Sequence, residues 1–331
     1  MSGVRLALAF GLVAALGSAA AADPVVGETA EVAATDAQPA AAANPVFQLS
    51  EADLSAPVSI RSDALEATES DGARTLMFQR NVEVRQGDLL LRTAYLEAVY
   101  PSGAKQPSHL RARGGVLVRQ GGREARCDVA TYDRAAELVR CSGDAALRDG
   151  PDEIRGDSIV FDLAAQRVVV EGGARVALTP SEGSDQDSGP LAGLGREGPV
   201  TIHADELRAW ETPEGRRLVF GGSVAVERDD LTLRASQIEA FYPPGAQEPE
   251  RLVATGDVRV TQKGREARCD RAEYRRPERR LDCRGAAQLQ HGGDRVTGEM
   301  IAFDMETERL VVSGGTRLVL APREQAESSI P

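Results

Sequence analysis

The chain has 331 residues, of which 42% are hydrophobic, 27% charged and only 4% aromatic, and it carries a formal net charge of −12. That apolar fraction suits a globular interior and exceeds what a disordered chain carries, while the acidity, without any basic run, speaks against a nucleic-acid partner. Only three histidines are present, which leaves little for histidine-based metal or acid–base chemistry.

Residues 1–22 read as an export signal. Arg5 supplies a minimal positive region, Leu6 to Gly17 is an apolar run of 12 residues, and the small residues from Ser18 to Ala22 follow. The run is shorter than the roughly 20 residues of a spanning helix, so cleavage near Ala22 and a periplasmic location are expected, with loss of Arg5 taking the charge to −13. The alternative is an uncleaved membrane anchor. No cysteine follows the apolar run to carry a lipid. Residues 23–56, rich in Ala, Pro, Glu, Asp and Thr, read as a flexible leader.

From there the chain repeats itself. Residues 57–180 align with 199–322 at a constant offset of 142, with 57 identities over 124 positions and no insertion. The block GREARCD at 122–128 recurs unchanged at 264–270. Between the copies, residues 181–198 are rich in Gly, Ser and Asp and read as a linker, and residues 323–331 form a tail. Each copy therefore reads as one domain.

Within each copy, apolar and polar residues alternate with a period of two, as at Val82 and Val84, Leu89 and Leu91, or Val258 and Val260. That is the pattern of a half-buried strand. Turn residues such as Gln86-Gly87-Asp88 separate about eight segments per copy, and glycine pairs such as Gly114-Gly115, Gly172-Gly173, Gly221-Gly222 and Gly314-Gly315 sit inside segments, where they mark bulges. The expected fold is all-β: two tandem antiparallel jelly-roll domains, each folding its sheet at mid-strand kinks into two facing layers.

The cysteines Cys127, Cys141, Cys269 and Cys283 are spaced by 14 in each copy. Each pair flanks a hairpin turn, near Asp133–Ala136 and Arg275–Glu278, so the two members are expected to face each other about centres at Arg134 and Arg276. In an oxidising compartment, Cys127–Cys141 and Cys269–Cys283 disulfides follow. No paired catalytic carboxylates, nucleophile elbow, phosphate loop or dinucleotide turn is present in context. The recurring Asp63, Asp128, Asp157, Asp162, Asp205, Asp270 and Asp304 read as turn or strand-end residues. No enzyme and no cofactor or metal is implied.

The order PVSIRSDALEA, TLMFQRNVEVRQGDLLLRTAYLEAVYP, HLRARGGVLVRQ, REARCDVATYD, LVRCSGDAAL, EIRGDSIVFD, VVVEGG resembles the OstA-like domain of the LptA family of lipopolysaccharide-transport proteins. Both copies carry it, about 250 residues in all. The resemblance implies a greasy jelly-roll interior that holds lipopolysaccharide acyl chains, head-to-tail self-association, and inner- and outer-membrane transport partners of similar fold. On that reading the lipid-facing residues are Leu65, Val82, Val84, Leu91, Leu96, Val116, Val118, Ile159 and Phe161, and in the second copy Leu207, Val224, Val226, Leu233, Ile238, Val258, Val260, Ile301 and Phe303. The same residues would equally fill a closed core. The competing reading is therefore a lipid-free adaptor scaffold that binds partners by adding strands at its edges, at the first segment (58–67) and the last (309–320).

Overall fold

The computed structural model describes residues 56–179, 199–246, 248–307 and 309–321. The expected signal, linker and tail, and the leader up to residue 55, lie outside the described residues. Among those residues there are eighteen strands and no helix.

The strands fall into two compact units that part between Cys141 and Ser142. The first holds β1 (Ser59–Arg61), β2 (Ala64–Ser70), β3 (Ala73–Gln86), β4 (Leu89–Tyr100), β5 (His109–Gln120), β6 (Arg123–Asp133) and the start of β7 (Leu138–Asp149). Its ladder is antiparallel throughout: β3 pairs with β4, β4 with β5 and β5 with β6. Both β1 and β2 pair with β3, as two halves of one broken strand.

The second unit continues with β8 (Asp152–Asp162), β9 (Arg167–Leu178), β10 (Val200–Thr212), β11 (Gly215–Arg228), β12 (Leu231–Tyr242), β13 (Arg251–Gln262), β14 (Arg265–Arg275), β15 (Arg280–His291) and β16 (Asp294–Asp304). It ends in β17 (Arg309–Ser313) and β18 (Arg317–Val319), which share β16 as their neighbour. The last strand of the first sequence repeat, β9, pairs along its length with the first strand of the second, β10, from Leu178 opposite Val200 to Arg167 opposite Trp210. The repeats are thus stitched into one ladder inside this unit.

The sequence explains why most strands are long and still bury one face. Strand β4 buries Leu89, Leu91 and Thr93, then Leu96, Ala98 and Tyr100. The step of three between Thr93 and Leu96 coincides with a register shift against β5 between Arg92 and Tyr95. A bulge inserts a residue and bends the strand, so the apolar phase stays on the same face on both sides of it. Register shifts recur in β3–β4, β5–β6, β8–β9, β10–β11, β12–β13 and β15–β16. This is the antiparallel jelly roll expected, built from one folded ladder rather than two separate sheets.

At Gly222 the bulge requires glycine. Its φ is +90°, and a Cβ there would lie 2.0 Å from Oδ2 of Asp205, whose same oxygen accepts a hydrogen bond from the Ser223 amide at 3.1 Å. Other recurring aspartates also satisfy backbone donors, as expected: Asp162 accepts from the Ala165 amide and Asp304 from the amides of Glu306 and Thr307.

Both disulfides are formed as expected, Cys127–Cys141 and Cys269–Cys283, each with 5.7 Å between Cα atoms. The register differs from a simple facing pair. In the second hairpin Cys283 lies opposite Ala272, because the turn spans residues 276–279 rather than centring on Arg276. A register shift between Arg268 and Arg271, where Gly285 and Ala286 take positive φ, brings Cys269 within bonding reach.

Candidate functional site

The apolar inner faces carry most of the residues that sequence reasoning singled out. In the first unit, Val82 and Val84 of β3, Leu91 and Leu96 of β4, and Val116 and Val118 of β5 are all buried. Register places Val84 beside Leu91, and Leu91 beside Val118. In the second unit, Ile159, Phe161, Leu207, Val224, Val226, Leu233, Ile238, Val258 and Ile301 are buried, whereas Val260 and Phe303 are half-buried. Strand β11 lines up with β12 through Phe220 beside Ile238, Val224 beside Ala235 and Val226 beside Leu233.

Leu65 differs from the rest: it is 58% exposed, although its repeat equivalent Leu207 is 0% exposed. The cause is topological. Leu65 lies on β2, which has β3 on one side only, while Leu207 lies on β10 between β9 and β11. The other end of the fold behaves alike. Leu310, Val311, Leu318, Val319 and Leu320 are exposed on or beside β17 and β18, and Val176, the equivalent of Leu318, is buried in β9. All the large hydrophobic residues that are exposed among those described therefore belong to the first and last strand segments.

The inner face also holds polar residues that sequence reasoning missed. Gln86, Thr93, Gln120, Arg216 and Arg228 are buried. Their signal was the alternation itself: Gln86 continues the phase of Val82 and Val84, and Arg228 that of Val224 and Val226. The Thr93 hydroxyl donates to the Arg113 carbonyl at 2.9 Å. Gln86 donates through Nε2 to the Ala56 carbonyl at 3.2 Å. At the opposite end of β11, the Arg216 guanidinium stacks on Tyr242 at 4.3 Å, and burial pushes the Tyr242 phenol up to about 12 against the opposing Arg216 charge. In the first repeat Arg74 stacks on Tyr100 in the same way at 4.8 Å.

The outer face is a lattice of arginine–carboxylate pairs. Hydrogen bonds from Arg85 and Arg92 hold the Glu83 carboxyl below its ordinary value. At the β14–β15 hairpin, Asp282 is 1% exposed and receives Arg275 at 2.9 Å, Arg280 at 2.8 Å and Arg284 at 3.3 Å. Burial pushes the Asp282 carboxyl up, but the Arg280 and Arg275 hydrogen bonds outweigh it and the net displacement is downward. Arg275, Arg280 and Arg284 thus converge on the one carboxylate of Asp282, and Arg276 pairs with Glu248.

Comparison with known proteins gives one family. The profile described as "LptA/(LptD N-terminal domain) LPS transport protein" matches twice, at residues 59–167 and 201–309. Among solved structures, LptH of Pseudomonas aeruginosa, titled the LptA-homologous periplasmic component of a lipopolysaccharide transport device, is similar over 42% of this chain and 94% of its own, at 18% identity and a TM-score of 0.31. No curated protein matches.

Proposed function

The chain belongs to the LptA/(LptD N-terminal domain) family of lipopolysaccharide transport proteins, and from that premise we propose that it works in the periplasm as a carrier that shields lipopolysaccharide acyl chains on its inner β faces. No catalytic group is needed: burying apolar surface contributes about 25 cal/mol per Å², so an aliphatic face retains a multi-acyl amphiphile by its tails. The half-buried Val260 and Phe303 make the last part of the second repeat the more accessible stretch of that face.

We further propose that the chain joins transport partners at its two ends into a bridge between the inner and outer membranes, and the observation that supports this is the contrast between equivalent strands. At the junction of the repeats, β9 and β10 seal each other, while β1/β2 and β17/β18 leave the same aliphatic positions open. Open edges with apolar side chains accept a further strand. Inner-membrane and outer-membrane transport proteins of similar fold, or a second copy joined head to tail, are the partners this edge chemistry suits.

The full chain recovered from a periplasmic extract under native conditions tests the reading by mass spectrometry. Co-purified lipopolysaccharide is the expected result. A lipid-free preparation that still captures partner proteins through its edges favours the adaptor scaffold, a reading to which the near-complete burial of the first unit's inner face lends support.

A further inference from the structure

The aliphatic lining ends, on β11, in a charge. Strand β11 buries Val224, Val226 and then Arg228, each facing a buried aliphatic or alanine residue of β12: Ala235, Leu233 and Leu231. Arg228 is 7% exposed, and its Nε is buried with no hydrogen-bond partner. Glu227, Asp229 and Asp230 flank it in sequence, but all three are exposed, and among the described residues none forms an ion pair with it. Asp230 instead accepts from Gln262 at 3.4 Å.

A guanidinium has five donors and no acceptor, and burying it without a counter-charge is costly. The first repeat shows what the position needs for folding alone. There the equivalent residue is the neutral Gln86, which faces the buried Leu89 and donates to the Ala56 carbonyl. The second repeat has replaced a neutral amide by a cation whose Nε is buried without a partner, at the point where the apolar face meets the Asp229-Asp230 turn.

Resting on the proposed function, we infer that Arg228 is an anion-binding residue that takes a phosphate group at the head end of the acylated ligand. The acyl chains lie along Val226 and Val224, and the phosphate stops at the strand end, where planar N–H donors form charge-assisted hydrogen bonds to its oxygens. The acidic chain as a whole does not attract anions, so a single buried cation at the rim sets where the head group stops rather than how fast the ligand arrives.

The test uses the full chain and its Arg228→Gln and Arg228→Lys variants, with displacement of a fluorescent acyl probe by hexa-acylated bis-phosphorylated lipid A and by a phosphate-free lipid with the same acyl chains. The wild type is expected to favour the phosphorylated lipid by about 10-fold or more, as a charge-assisted hydrogen bond allows. Arg228→Gln, the residue the first repeat tolerates, should remove that preference while leaving the affinity for phosphate-free lipid unchanged, and Arg228→Lys should retain part of it. Equal weakening toward both lipids, or an undiminished preference in Arg228→Gln, overturns the inference while the carrier reading stands. A wild type that binds neither lipid overturns the carrier reading and this inference with it. Inorganic phosphate alone should not displace the phosphorylated lipid; displacement by it makes the site one for free phosphate and overturns the head-group assignment.

Discussion

Leu65 and Leu207 occupy the same position in the two repeats, and the same substitution at each is expected to have different costs. Leu207 is fully buried on β10, beside Val170 of β9 and Phe220 of β11. Truncation to alanine removes three carbons, about 2.4 kcal/mol at about 0.8 kcal/mol per buried methylene, and the residual cavity raises this to about 3–4 kcal/mol. Leu65 is 58% exposed on β2, so the same scaling gives about 1 kcal/mol or less. Trp210, the single tryptophan, lies three residues from Leu207 on β10 and reports on this region directly. Urea unfolding of the full-length variants, followed by Trp210 fluorescence and by far-ultraviolet circular dichroism, measures both losses. Leu207→Ala should shift the fluorescence transition strongly to lower urea and Leu65→Ala should barely move it. Equal losses refute the argument, because they mean that β9–β10 pairing does not seal the junction or that β2 is covered in solution.

Three further outcomes follow from named contacts. Gly222→Ala should destabilise by about 1–3 kcal/mol in thermal or chemical denaturation, since it forces a side chain into the left-handed region and onto the Asp205 carboxylate. Replacing Cys269 and Cys283 together by alanine should cost about 3 kcal/mol, the chain-entropy value for a loop closed over a separation of 14, and non-reducing peptide mapping should find only the 127–141 and 269–283 links. The Asp282 carboxyl has a folded pKa below its ordinary value, so the stability it contributes is complete above about pH 4 and is lost as pH falls through the folded value. Asp282→Asn should therefore lower the Tm at neutral pH, and the difference from wild type should shrink on acidification; a constant difference across that range contradicts the assignment.

Much of this architecture is legible in the residues. The period-two alternation of Val82, Val84, Leu89 and Leu91 marks strands and their inward face, the gap-free offset marks the duplication, and the hairpin position of the cysteines marks their pairing. The register of the cysteine hairpin is not legible, because Cys283 faces Ala272 only through closure of the turn over 276–279, and the bulge at Gly285 and Ala286 then shifts the pairing on the Cys269 side. The exposure of Leu65 and the burial of Leu207 are not legible either: the two copies are alike there, and only strand order decides which one has a neighbour on both sides. Arg228 was hidden for a different reason. A charged residue in phase with valines reads as the end of a strand, and only its burial, with Nε left without a partner, marks it out.

The proposed carrier function requires that the inner β faces contact acyl chains. Its most direct test places a photoreactive residue at the inward Val260 or Phe303, or at the outward Arg259, in cells that make lipopolysaccharide, followed by crosslinking and detection of adducts. Lipopolysaccharide adducts are expected from positions 260 and 303 and none from 259. No adducts from the inward positions, or equal yields from the outward one, contradict it.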